Sequence, residues 1–184
     1  MPLWWVLADN IAMNAVEDMN MIGISFPELL RFDEQETERW HQFLAKQGPA
    51  ALDIPVDLAQ GKTVRDLLLH IFGVELKYAE RISGGALTKP GDLPTRTVDD
   101  IFSIATTAHG KMKTYLKTAS EADLNGKITF PTLSAGEQTA TRRKVLGHAL
   151  FHSLRHWAQL TTEMRRRGYK GDWHHDFLFT DALQ

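Results

Sequence analysis

The stretch HALFHSLRHWAQL, residues 148–160, repeats histidine at every fourth position: His148, His152 and His156. That spacing stacks side chains one turn apart on one face of an α-helix, so the stretch predicts a helix. Two imidazoles at i and i+4 can close on one metal ion. Residues eight apart stand ~12 Å apart along the axis, too far to share an ion at Zn–N distances of ~2 Å. At most two of the three are therefore ligands of one ion, either His148/His152 or His152/His156. The stripe Val145, Ala149, His152, His156, Leu160 is largely apolar and reads as inward-facing. The line through His148 and His152 continues to Arg155 and Gln159, closer to the rim. The phase of the helix favours His152/His156, with His148 a neighbour one turn up.

Working outward, this helix spans about Thr141–Arg167 and is closed by Gly168. Three further segments share its periodicity. The first runs from about Pro27 to Lys46, with Leu29, Leu30, Phe32, Trp40 and Phe43-Leu44 apolar and Gln47-Gly48-Pro49 as its stop. The second covers about Thr63–Ser83, with Thr63 as N-cap, a stripe through Val64, Leu67, Leu68, Ile71, Val74 and Tyr78, and Gly84-Gly85 at its end. The third covers about Val98–Ala119, capped by Thr97. Residues 50–61, with Pro55, read as a connector, and 126–140 as a short hairpin-like excursion before the last helix. Trp173, Phe177, Leu178 and Phe179 give the tail the look of a docked short helix. Four helices of this length with two longer connections predict an all-α four-helix bundle.

Composition narrows the chemistry. The chain has 184 residues, 43% hydrophobic and 24% charged, enough for one domain with a core. A net charge of −2 provides no basic field for nucleic acid. The run Arg165-Arg166-Arg167 reads as a solvated helix end. There is no cysteine, which excludes disulfides, thiolate ligands and a cysteine nucleophile and fits a cytoplasmic location. Any metal must be held by His, Asp or Glu. The apolar run Pro2–Ala8 has no basic flank and falls well short of the ~20 residues of a membrane span. Residues 1–25 read as an N-terminal extension or extra helix and 26–184 as the bundle domain.

His70 lies mid-stripe on the second helix, among Leu67, Leu68, Leu69, Ile71 and Phe72. Alone it would be a satisfied core residue. Three inward histidines on two helices have a simpler common explanation in one site, because buried neutral imidazoles otherwise each need a separate partner. Other signatures are missing. Ser153 stands where a zinc peptidase needs glutamate, and Glu38–His41 is the only Glu-x-x-His pair, where di-iron bundles need two. No phosphate loop or nucleophile elbow occurs. His109 reads as a surface or satisfied core residue, His174-His175 as an exposed turn, and Glu80 and Arg81 as surface charges. Glu75, five residues past His70, is a candidate base that points past the site.

The segments LLLHIFGVELKYAERISG and LGHALFHSLRHWAQLTTEMRRRGY resemble the two signature segments of the DinB/YfiT-like family of metal-dependent enzymes. The resemblance covers the chain from about Phe26 onward. The family has Arg-Gly-Gln after the last histidine of the motif, where this chain has Trp157-Ala158-Gln159. The resemblance implies an up-down-down-up four-helix bundle, often a homodimer, with a divalent ion on one histidine of the second helix and the last two of the fourth. Carried over, these are His70, His152 and His156, with His148 and Gln159 around them. Zinc or nickel is the expected ion, with iron or manganese as alternatives. The implied activity is metal-dependent hydrolysis, or transfer or isomerisation using an external low-molecular-weight thiol, on a small-molecule substrate. Neither nucleic acid nor membrane is an expected partner. The rival reading is a metal- or ligand-binding stress-response bundle without turnover.

Overall fold

The computed structural model describes residues 23–59, 61–132 and 135–182. The expectation of an extension over 1–25 falls almost wholly outside them. Four long helices form the bundle: α1 (Phe26–Gln47), α2 (Val64–Ile82), α3 (Val98–Thr118) and, after the short α4 (Glu121–Asn125), α5 (Arg142–Arg166). Each of the first three starts on a reciprocal capping box, Ser25/Glu28, Thr63/Asp66 and Thr97/Asp100, which satisfies backbone N–H groups that the first turn leaves free. The last helix ends where Gly168 takes φ 85°, with Tyr169 N–H donating to the Met164 carbonyl at 3.0 Å and Gly168 N–H to that of Arg165 at 3.1 Å. This closure folds the Tyr169 ring back onto the core.

Side-chain pairs along the helices give their relative directions. On α1, Phe26 meets Gly147 and Asp33 meets Trp157, so α1 and α5 run parallel. His41 meets Asp99 and Asp33 meets His109, so α1 and α3 are antiparallel. Phe72 packs on Phe102 and Glu75 reaches His109, making α2 and α3 parallel. His70 meets His156 while Tyr78 meets His148, making α2 and α5 antiparallel. That is the up-down-down-up arrangement.

The core follows the apolar stripes. Leu44, Leu67, Leu68, Ile71, Phe72, Ile101 and Leu160 fill one end with the stacked indoles of Trp40 and Trp157, 6.2 Å apart, and Leu30, Met112, Leu146 and Leu150 fill the other. Two small antiparallel hairpins decorate the bundle. β3 (Lys127–Pro131) pairs with β4 (Glu137–Thr141), as the excursion before the last helix predicts. The connector over 50–61 is more ordered than its reading as a loop. It forms a 3₁₀ turn, Pro49–Asp53, and a hairpin of β1 (Pro55–Leu58) with β2 (Gly61–Thr63). Val56 plugs into the core, and Asp57 N–H donates to buried Glu163 at 3.0 Å, tying the hairpin to the last helix. The tail docks through Trp173, whose ring packs edge-on against Trp40 and Phe43, and it carries only a 3₁₀ turn, Phe177–Phe179. Among the described residues, no helix is long and apolar enough to cross a membrane.

Candidate metal centre

His70 and His156 enter the space between antiparallel α2 and α5 from opposite sides, and His152 joins them one turn back. Their Nε2 atoms converge: 3.2 Å from His70 to His156, 3.0 Å from His70 to His152 and 3.1 Å from His152 to His156. Two imidazole nitrogens bound to one ion at ~2.0–2.1 Å, at angles of ~90–109°, would lie about 2.9–3.4 Å apart, so the spacing fits a shared divalent cation. The chemistry of the donors fits as well. His156 Nδ1 stands 2.5 Å from the Gln159 carbonyl oxygen, which can only accept, so Nδ1 carries the proton and Nε2 presents a lone pair. Among the described residues, His152 Nδ1 is buried with no partner.

The electrostatics keep these rings neutral. Burial pulls the pKa of His70 down, with Arg155 adding to the effect. Burial, then the neighbouring His156, His70 and His148, pull His152 down to about 3. Burial also lowers His156, against the opposing pull of Gln159. A neutral imidazole is the form that binds metal. His156 is fully buried, His152 is half-buried, and Arg155 is exposed at the mouth with its guanidinium 3.4 Å from His156 Nε2. His148 is exposed, its ring edge-on to Tyr78 and 5.8 Å from that of His152.

A second polar cluster lies deeper, built by all four long helices. His109 Nε2 lies 3.2 Å from Asp33 Oδ2 and 3.1 Å from Glu75 Oε2, and Trp157 Nε1 donates to Asp33 Oδ1 at 3.0 Å. Ser153 Oγ touches both Glu75 Oε1 and the Ala149 carbonyl. Burial, then the Asp33 carboxylate, push Glu75 up to about 7. Burial pulls His109 down, but Glu75 and Asp33 outweigh it and raise the imidazole to about 10. The two carboxyls together hold the buried His109 in its charged form.

Several expectations change here. Glu75 is fully buried and turned into this cluster, away from the histidine trio, so it does not stand as a base there. His109 is a satisfied core residue. Glu80 is not a surface charge: it is buried and accepts from Thr88 N–H and Oγ–H, bracing the loop after α2. His175 is not in an exposed turn, because its ring stacks on Trp40 and its Nδ1 meets buried Glu36 at 2.8 Å. The Asp33–Glu75–His109–Ser153–Trp157 cluster has one signal in the sequence that the spacing of the histidines does not carry. Asp33 interrupts the otherwise inward stripe Leu30, Thr37, Trp40, Leu44, and such a charge demands buried partners. The departure Trp157-Ala158-Gln159 gains its sense here: Trp157 serves the core by reaching Asp33, and Gln159 serves the histidines.

The fold has solved relatives. YfiT from Bacillus subtilis, described as a probable metal-dependent hydrolase with an unusual four-helix bundle topology, is 19% identical, with a TM-score of 0.62 over 81% of this chain and 93% of that one. A DinB-like protein from Bacillus subtilis, YjoA, is 18% identical, with a TM-score of 0.56 over 82% of this chain and 96% of that one. No curated protein sequence matches. The DinB family model matches residues 15–181, and the chain belongs to the DinB family.

Proposed function

We propose that the chain is a metal-dependent enzyme acting on a small molecule at His70, His152 and His156, either a hydrolase or a transferase that uses an external thiol. The observation that carries this reading is the convergence of three neutral Nε2 atoms at 3.0–3.2 Å with no acidic side chain among them. A divalent ion would supply Lewis acidity, making a water or thiol nucleophilic at neutral pH. The trio alone leaves room for further ligands, as a catalytic site requires. An all-imidazole set suits zinc and nickel, with iron or manganese as alternatives. Gln159 holds the His156 tautomer, and Arg155 offers a cation to an anionic group entering at the mouth.

No carboxylate reaches the trio among the described residues, since Glu75 serves the deeper cluster. This favours chemistry whose nucleophile is acidic enough to need no strong base from the protein, such as a thiol. The same lack supports the rival reading of a binding bundle without turnover. Metal analysis of untagged protein, followed by assays of metal-loaded wild type and His152→Ala against esters and thiol–electrophile pairs, separates them. Metal-dependent turnover that His152→Ala abolishes is the expected result. Stoichiometric metal with no turnover on either class would replace the enzyme reading with the binding one.

A further inference from the structure

Gly73 sits in the middle of α2, one turn past His70, where glycine costs a helix roughly 1 kcal/mol relative to alanine. Packing does not require it. A Cβ at Gly147 in α5 would lie 3.6 Å from the Phe26 ring, but a Cβ at Gly73 would meet nothing within 4 Å among the described residues. Gly73 instead forms part of the floor of a pocket of about 890 Å³ between α2 and the segment after it, with His70 in its wall. That volume is within the range of small-molecule sites.

The lining states what would fill it. Leu69, Val74, Leu87 and Leu93 form apolar walls, and Leu87 is left 46% exposed among the described residues. Lys62, Lys77 and Lys89 stand around them, and none has an acidic partner within 4.0 Å among the described residues. The two acids of the lining are already engaged: Asp66 caps α2, and Glu80 holds Thr88. Lys77 lies one turn past Gly73 on the same side, half-buried, where its ammonium gains by meeting an anion.

We propose that this pocket takes a small amphipathic anion, its apolar body lying over Gly73 and its carboxylate, sulfonate or phosphate group at Lys77, alongside His70. The inference rests on the proposed site for the ligand's relation to the metal, but the pocket itself needs no metal.

The test uses the full chain, metal-free and zinc-loaded. Saturable 8-anilinonaphthalene-1-sulfonate fluorescence is competed by octanoate or by 1-octanol. The expected result is about tenfold stronger competition by octanoate, the scale of one charge-assisted contact, and its loss in Lys77→Gln. Gly73→Trp fills the floor and weakens octanoate binding by about tenfold or more, whereas Gly110→Trp, at an equally open helix glycine facing solvent, leaves it unchanged. Gly73→Ala raises Tm by roughly 2–4 °C, because the glycine serves the pocket and not the fold. Equal competition by octanol, unchanged octanoate binding in Gly73→Trp, or a lower Tm in Gly73→Ala would each overturn the proposal. His152→Ala keeps the two readings apart: loss of zinc with retained octanoate binding is the expected pattern, and zinc binding unchanged in that variant would refute the metal site while leaving the pocket standing.

Discussion

Two histidine-centred clusters occupy neighbouring layers of this bundle, and by spacing alone they are alike. In each trio, His70/His152/His156 and Asp33/Glu75/His109, atoms of metal-binding type lie within 4.8 Å of one another. The difference is in charge and protons. The deeper trio is complete as it stands, because His109 supplies the cation that its carboxyls need and Trp157 and Ser153 bond the remaining oxygens. The outer trio brings three imidazole nitrogens together with no acid among the described residues, and its surroundings push every ring toward the neutral form. Proximity of ligand atoms marks both clusters. Only the proton and charge inventory distinguishes a set that calls for a cation from one that already contains it.

The comparison is sharpest in the histidines themselves. His152→Ala is expected to lower zinc affinity by about a thousandfold or more, read by competition with a chromophoric chelator, while the metal-free protein keeps its fold. His109→Ala should do the reverse. It leaves two carboxyls buried without their cation, costing about 3–5 kcal/mol of folding free energy by urea unfolding, with zinc still bound in the folded fraction. Equal losses of zinc from both variants would erase the distinction between the clusters.

A smaller effect is expected at Gln159→Ala. Freeing the His156 tautomer should weaken zinc binding by about 10–100-fold, with little change in Tm. The last difference between the clusters is a matter of pH. Glu75 has its folded pKa raised from 4.5 to about 7, so its contribution to stability is full below about 4.5 and is lost as pH rises through about 7. His109, raised from 6.5 to about 10, adds stability below about 6.5 that is lost as pH rises through about 10. The outer trio has the opposite sign. In metal-free protein His152, lowered from 6.5 to about 3, costs stability as pH falls from 6.5 through about 3. Urea midpoints of Glu75→Gln across pH 4–8 should therefore lose the wild-type decline between about 4.5 and 7, because glutamine mimics the protonated carboxyl. A decline that persists in this variant would show that Glu75 is not the group that titrates.

Much of the outer site was legible in the sequence because helical periodicity is local. The spacing of His148, His152 and His156 limited the ligands of one ion to an adjacent pair, and the apolar phase through Val145, Ala149 and Leu160 favoured the pair that in fact turns inward. His70 could be associated with them only by its place on an apolar stripe and by family resemblance. The deeper cluster was not legible in the same way. Asp33, Glu75, His109, Ser153 and Trp157 come from four helices with no shared spacing, and each of them alone resembles a surface charge or an ordinary core residue. Glu80 and His175 read as surface residues from the sequence for the same reason, since their burial depends on the loop after α2 and on the docked tail.

The chain's own text was enough for the helices, the caps at Thr63 and Thr97, the order of the bundle's elements and the register that aims His152 and His156 inward, because each depends on residues within a few turns of one another. Which histidine completes the trio in space, which polar residues are spent in the core, and where Gly73 opens a pocket depend on how helices far apart in sequence settle against each other. That settling follows from the volume and charge each interface must accommodate, quantities that belong to pairs of helices and not to any one segment.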